Sequence, residues 1–441
     1  MYPSISAVQI AREGIKAAHP LRLVPQYIKV EGNILHVTGR QYDISRGIKF
    51  LAFGKAALSM SEALVECVGA SFIRGGIVVA PEISKTNLTQ YAPRIELIQS
   101  THPFVSETSL AAGKRVLAFA DACTKEDVVV CLVSGGGSAL VAHPVDGISF
   151  EEKVEFINNL MGRGIAEREV NVIRKGLSAI KGGKLAARLA PALIINMILS
   201  DERTHQEEAN ASGPTVPNNA TTIPRVILEE AGLWDAVSVR MKNVLEQSRP
   251  LNAQDLARVD IYTCTIKGRE AALAGMEDVA RKMGFNSVTV DMMFFHEMTH
   301  GSVDGVAGML GNNYRSMWDS AKPGTHVALG YGEIIVKAKK GSQGGRCQHL
   351  AALMLNELKE MPTFEFAAIA SDGCDFVHGI QGAVINNKTV QQIAHEQIDY
   401  FSFIKSTQTY ELHRHLRSLV KGGYTGTNVN DLYVFIFQKS L

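Results

Sequence analysis

Short β-branched runs alternate with longer amphipathic patterns along almost the whole chain, which predicts an α/β fold: two Rossmann-like α/β/α domains with largely parallel sheets. Two further observations agree. The runs that read as strands end in Gly, Ser, Asp or Pro, where a chain leaves a sheet. The 441 residues are enough for two or three domains with sizeable cores.

Residues 5–18 carry an apolar stripe interrupted by Glu13, the pattern of an ordinary surface helix. Strands are then predicted at 48–53, 76–80, 95–99, 128–133 and 192–199, with helices at 56–68, 109–123, 150–161, 167–177 and 183–189. The second half repeats the rhythm, with strands at 260–265, 287–291, 325–329, 333–338, 364–370 and 432–437. Its helices are predicted at 269–283, 302–319, 346–358 and 410–420. The polar, proline-bearing stretch EQSRPLNAQ at 246–254 follows a helical pattern and sets the domain boundary, dividing 1–250 from 251–441.

Composition narrows the function. Lys plus Arg number 45 against 44 for Asp plus Glu, so no whole-protein field holds nucleic acid or an anionic membrane, and any anion site is built locally. No run approaches the roughly 20 apolar residues of a membrane span. A small-molecule partner is expected. The six cysteines are scattered with no C-x-x-C pair, which suits free thiols in a reducing compartment. The N-terminus lacks the order of a secretory signal, so a cytoplasmic location is expected, with a mitochondrial presequence overlapping the first helix as the alternative.

In open α/β sheets ligands bind beyond the carboxyl ends of the strands. The most heavily loaded turn is VVVCLVSGGGSAL, where Ser134, Gly135, Gly136, Gly137 and Ser138 follow an apolar strand. Three glycines let backbone N–H groups converge on one anion, and a following helix start adds partial positive charge. A second cluster, GSQGGR, places Gly344 and Gly345 before Arg346, whose planar fork suits a phosphate. Lys55, in FGKAA, stands where a strand turns into a helix, and His102 in THP ends another strand. Among the acids, Asp201 closes ALIINMILSD, Asp372 and Asp375 follow FEFAAIASDGCD, and Glu333 follows GYG. Strand-end carboxylates beside phosphate loops suit Mg²⁺ bridging nucleotide phosphates, so phosphoryl transfer fits better than any hydrolytic triad.

One motif points elsewhere. His296, Glu297 and His300 satisfy the H-E-x-x-H pattern of zinc peptidases. Its context opposes that reading: the motif needs a helix, yet it follows the strand-like SVTVDMMFF and runs into Gly301 and Ser302. Val303 and Val306 stand where the extended motif requires Gly and His.

Taken in order, SGGGSAL, NVIRKGLSAIKGGKLA, LSD, ASGPTVP, GGRCQ, SDGCD and TGTNVNDL resemble the two-domain glycerate kinases whose C-terminal region is called MOFRL. The resemblance spans nearly the whole chain. It implies ATP-dependent phosphorylation of D-glycerate, with 2-phosphoglycerate the favoured product, Mg²⁺, a cleft between the domains, a monomer or homodimer, and a place in serine and fructose metabolism. Carried over by motif, Lys55 and Arg346 are the catalytic cations, with Asp201 as base or metal candidate. Ser134 to Ser138, Gly344 and Gly345 would hold oxygens of substrate or nucleotide, and Glu333, Asp372 and Asp375 would hold metal. Arg174 and Lys181 match too, and either would serve glycerate's carboxylate. The sequence departs from the family at Glu202 to His205, Tyr331, Cys347, His349 and Phe376. The competing expectation is therefore an inert relative that binds a nucleotide or sugar acid.

Overall fold

The computed structural model describes residues 6–83, 86–163, 165, 167–200, 210–218, 222–291, 303–337, 339 and 341–440. They form two compact units, one of residues 20–266 and one of residues 6–19 with 267–440.

The first unit opens with an antiparallel meander of β1 (Ile28–Glu31), β2 (Ile34–Val37) and β3 (Arg40–Asp43). Sequence periodicity did not reveal these four-residue strands. They are short, half polar, and turned at Gly32 and Gly39, both in the left-handed region. Next come β4 (Ile48–Phe53), β5 (Ile73–Ala80), β6 (Ile95–Gln99), β7 (Val128–Ser134), β8 (Leu193–Leu199) and β9 (Ile261–Ile266). All pair in parallel in the order β6-β5-β4-β7-β8-β9. Near-continuous burial of β4, β7 and β8 is what a parallel sheet covered by helices requires. Its core joins Leu51, Phe53, Val79, Cys131, Val133, Ile194 and Ile198 to Leu117, Leu185 and Leu189 from covering helices. From β4 the chain runs outward through β5 and β6, then returns to place β7 on the other side of β4. The topological switch point therefore lies between the carboxyl ends of β4 and β7.

The compact units do not divide at residue 250. β9, beyond it, completes the first sheet, and the helix Ala7–Ala17 belongs to the second unit. That helix packs on the helix Gly268–Lys282 through two glycines. A Cβ at Gly14 would lie 2.6 Å from Met276 Cγ, and one at Gly275 would lie 2.4 Å from Ala17 Cβ. Thr427 Oγ1 donates to Ala18 O at 2.8 Å, and Arg12 Nη2 to Lys421 O at 2.7 Å.

The second unit's sheet contains β10 (Ser287–Asp291), β11 (Gly324–Gly332), β12 (Phe364–Ala370), β13 (Ile380–Asn386), β14 (Leu419–Lys421) and β15 (Asp431–Lys439). Their order is β10-β11-β15-β12-β13-β14. Only β10 and β11 are parallel; the other pairs are antiparallel. The α/β class holds here, but the sheet is mixed rather than largely parallel. The expected strand 333–338 is absent from the described residues there, because pairing with β15 ends at Gly332 opposite Asp431. The helix expected at 410–420 closes early, as Thr409–His415, since Arg417 takes a left-handed conformation before β14. No helix among the described residues is long and apolar enough to cross a membrane.

Candidate functional site

At the switch point of the first unit, β4 ends in Phe53 and the chain turns at Gly54, whose φ of +131° favours glycine. A Cβ there would sit 2.5 Å from Ser134 O, so this glycine is what allows the β4 and β7 turns to touch. Lys55 N then donates to Gly135 O at 2.9 Å and Ala56 N to Ser134 Oγ at 3.0 Å. Gly136 is left-handed, and a Cβ on it would lie 3.0 Å from both Lys55 Cγ and His102 Cδ2. Lys55, His102 and the glycine loop are therefore neighbours. The amide N–H groups of Gly136, Gly137 and Ser138 meet no acceptor among the described residues. They form the kind of nest that receives an anion.

Ser212 and Asn171, which sequence reasoning did not single out, close this loop from below together with Lys181, which it did. Ser212, in ASGPTV, donates to Asn171 Oδ1 at 2.8 Å, so the 2.6 Å contact between Ser138 Oγ and Ser212 Oγ has Ser138 as donor. Lys181 Nζ donates to Ser138 O at 2.8 Å. Burial, reinforced by the charges of Lys153, Arg174 and Lys175, holds the Lys181 ammonium well below the usual lysine range. Arg174, on the helix Glu167–Gly176, is half-buried, with Nη2 reaching Met161 Sδ at 3.0 Å. Asp201 and the triplet His296, Glu297 and His300 lie outside the described residues.

In the second unit the chemistry gathers where β11 and β12 end and antiparallel β15 begins, since Gly332 and Ala370 both pair with Asp431. Arg346 opens the helix Arg346–Leu358. Its Nε and Nη2 donate to the two Asp431 oxygens at 3.1 and 3.2 Å, and its Nη1 donates to Glu333. Asn430 Nδ2 holds the other Glu333 oxygen at 2.8 Å. Burial works against the Arg346 charge, but Asp431, Cys347 and Asp372 together more than offset it and keep the guanidinium firmly protonated. Sequence reasoning missed Asp431 and Asn430, although both lie in the quoted run TGTNVNDL.

The geometry reassigns Asp375, Gly344 and Gly345. Asp375 is buried, and its carboxylate accepts from Cys347 N at 3.0 Å, Gln348 N at 2.8 Å and Gln348 Nε2 at 2.9 Å. Burial, with Asp431 nearby, pushes its carboxyl up to about 6. This carboxylate caps a helix, and three of its roughly four acceptor sites are taken by that helix start. Gly345 makes room for it, since a Cβ there would lie 2.1 Å from Asp375 Oδ1; a Cβ on Gly344 would lie 2.2 Å from Thr409 Oγ1. The second glycine cluster thus serves close packing, and its helix start is filled by Asp375 rather than by phosphate. Asp375→Asn should cost about 1–3 kcal/mol of stability, because an amide offers one acceptor to three donors. A shift of the urea midpoint at constant m-value measures it. Asp372 is half-exposed and accepts from Cys374 N at 3.0 Å. No group of three or more His, Cys, Asp or Glu among the described residues is arranged to hold a metal.

A parallel sheet with an anion nest at its switch point, and a mixed sheet presenting an arginine held by two carboxylates, define a two-unit α/β protein with anion-handling sites. The chain belongs to the family described as domain of unknown function DUF4147, which it matches over residues 6–246, and residues 326–431 match the MOFRL family. It is 28% identical over 435 residues to the D-glycerate 2-kinase of Thermotoga maritima, covering 97% of each chain. It is 27% identical over 436 residues to the glycerate 2-kinase of Pyrococcus horikoshii, covering 97% of this chain and 96% of that one. The crystal structure of a Thermotoga maritima glycerate kinase superposes with a TM-score of 0.76 at 25% identity, covering 98% of each chain.

Proposed function

We propose that this protein is an ATP-dependent kinase that phosphorylates D-glycerate, with 2-phosphoglycerate as product. The observation that carries the reading is the set of unbonded N–H groups of Gly136, Gly137 and Ser138 beside Lys55, at the switch point of the first sheet. Ligands of open α/β sheets bind at such points. Full-length similarity to glycerate kinases supplies the substrate class.

In phosphoryl transfer the protein's work is positioning and charge neutralisation, because the transition state is loose and its charge is spread over peripheral oxygens. Lys55 and Arg346 supply that positive charge. Glu333 and Asp431 fix the Arg346 fork from two sides, so the guanidinium is oriented before substrate arrives. The N–H nest receives phosphate oxygens, and the carboxylate of the acid lies toward Arg174 and Lys181. Among the described carboxylates, Asp375 caps a helix and Glu333 holds Arg346 and Asn430. Mg²⁺ typically takes one or two carboxylates plus phosphates and water. Asp372, or Asp201 outside the described residues, would hold it, and the ion would neutralise phosphate charge. The Mg²⁺ concentration for half-maximal activity should therefore be unchanged in Asp375→Asn.

Of the departures, Cys347 lies in the apolar core of the second unit and His349 is buried on the same helix, so neither is exposed to crowd a ligand. Tyr331 is buried with the Arg269 guanidinium 5.3 Å from its ring centre. These placements favour an active enzyme over an inert relative. Phosphorus NMR of the product tests the regiochemistry: the 2-phospho ester is expected, and the 3-phospho ester would refute that assignment.

A further inference from the structure

Lys153 lies on the helix Phe150–Gly162, which inserts Ile157 and Leu160 into an apolar cluster. Its side chain is buried with 7% of its surface exposed, and its Nζ has no hydrogen-bond partner among the described residues. The charges that bear on it are cationic, from Lys184 and Arg174, while Lys153, Arg174 and Lys175 bear on Lys181. Lys175 Nζ is spent on Asn218 Oδ1 at 2.6 Å. Lys184 Nζ is spent on Lys175 O, Ser178 O and Ser248 Oγ. No carboxylate among the described residues hydrogen-bonds or ion-pairs with Lys153, Lys181 or Lys184.

An unpaired ammonium in such a place destabilises the fold, and methionine would fill the same volume without the penalty. Such a group is characteristic of a functional site held at a cost in stability. We infer that Lys153, with Lys181 and Arg174, forms an anion subsite beneath the glycine loop that takes the carboxylate of a small hydroxyacid. The inference deepens the proposed function and rests on it for the substrate. Ser138, whose backbone oxygen accepts from Lys181, and Asn171 are half-buried beside these buried cations. That suits a three-carbon acid, whose hydroxyl can join the Ser138, Ser212 and Asn171 chain, better than a triphosphate. Burial, with Lys184 and Arg174, lowers Lys153 to about 7, so a bound carboxylate would draw a proton onto it.

The test is calorimetry and steady-state kinetics on the full chain and on Lys153→Met. The variant should bind D-glycerate about tenfold or more weakly, the value of a charged hydrogen bond. It should keep its affinity for ATP and melt no lower than the parent. Lys153→Arg should recover part of the affinity. A Lys153→Met protein that binds D-glycerate as the parent does, or that loses ATP instead, overturns the inference. Should that variant not fold, the parent decides: D-glycerate binding near neutral pH should take up protons, read from the dependence of binding enthalpy on the buffer's ionisation enthalpy. Binding without proton exchange then overturns it. The two readings fail separately. Turnover of D-glycerate with an unchanged KM in the variant removes the subsite and leaves the kinase, whereas Lys153-dependent D-glycerate binding without turnover does the reverse.

Discussion

Arg346→Lys should lower kcat by about 10²- to 10³-fold, the range seen when one charge-stabilising donor is lost from a transition state. Lysine keeps the positive charge, so the loss measures the fork. Arg346 spans Asp431 through two parallel bonds and reaches Glu333 with its remaining nitrogen, and a single ammonium cannot do both. Arg346→Ala should cost more. It removes the charge and leaves the Asp431 side chain, 2% exposed, without the partner of its ion pair, which should cost about 1–3 kcal/mol of stability. Single-turnover rates together with denaturant midpoints separate the two effects. A lysine variant with parental kcat would show that Arg346 is a structural clamp for Glu333 and Asp431.

Lys55→Met should lower kcat on the order of 10²- to 10³-fold with little change in stability. The reason lies in which atoms hold the turn. The backbone N–H of Lys55 ties β4's turn to Gly135, and Ala56 and Gly54 make the remaining contacts with Ser134. These bonds are made by backbone groups and by Ser134, so replacing the side chain at 55 leaves them in place and removes a charge beside the nest. KM for ATP should rise less than kcat falls, since the N–H groups still receive phosphate. Equal loss of Tm and activity would instead make Lys55 part of the framework.

The bounds of β4, β6, β10 and β12, and of the helix Arg346–Leu358, are those read from the sequence. In all but β10, which runs on into MMFF, a β-branched or amphipathic run is cut off by Gly, Pro or a polar turn. Lys55 and the Ser134 to Ser138 loop were legible for the same reason, because their placement after apolar strands is a local property. Asp431 was not, because it begins a strand instead of ending one. β15 runs antiparallel between β11 and β12, so its first residue lies at the edge where theirs finish. Strand direction depends on partners distant in sequence, which periodicity does not report. Asp375 read as a metal ligand because composition cannot show that a helix start has already claimed its oxygens. Lys153, in FEEKVEF between acids, reads as a solvated helix face, and only the packing of the helices around it shows that it is buried.

The most direct measurement is ADP release by the purified, folded chain with D-glycerate, with L-glycerate and with no acceptor, each with and without Mg²⁺. Turnover confined to D-glycerate with Mg²⁺ is the predicted result. ADP released equally without an acceptor, or no release under any condition, would contradict the kinase assignment.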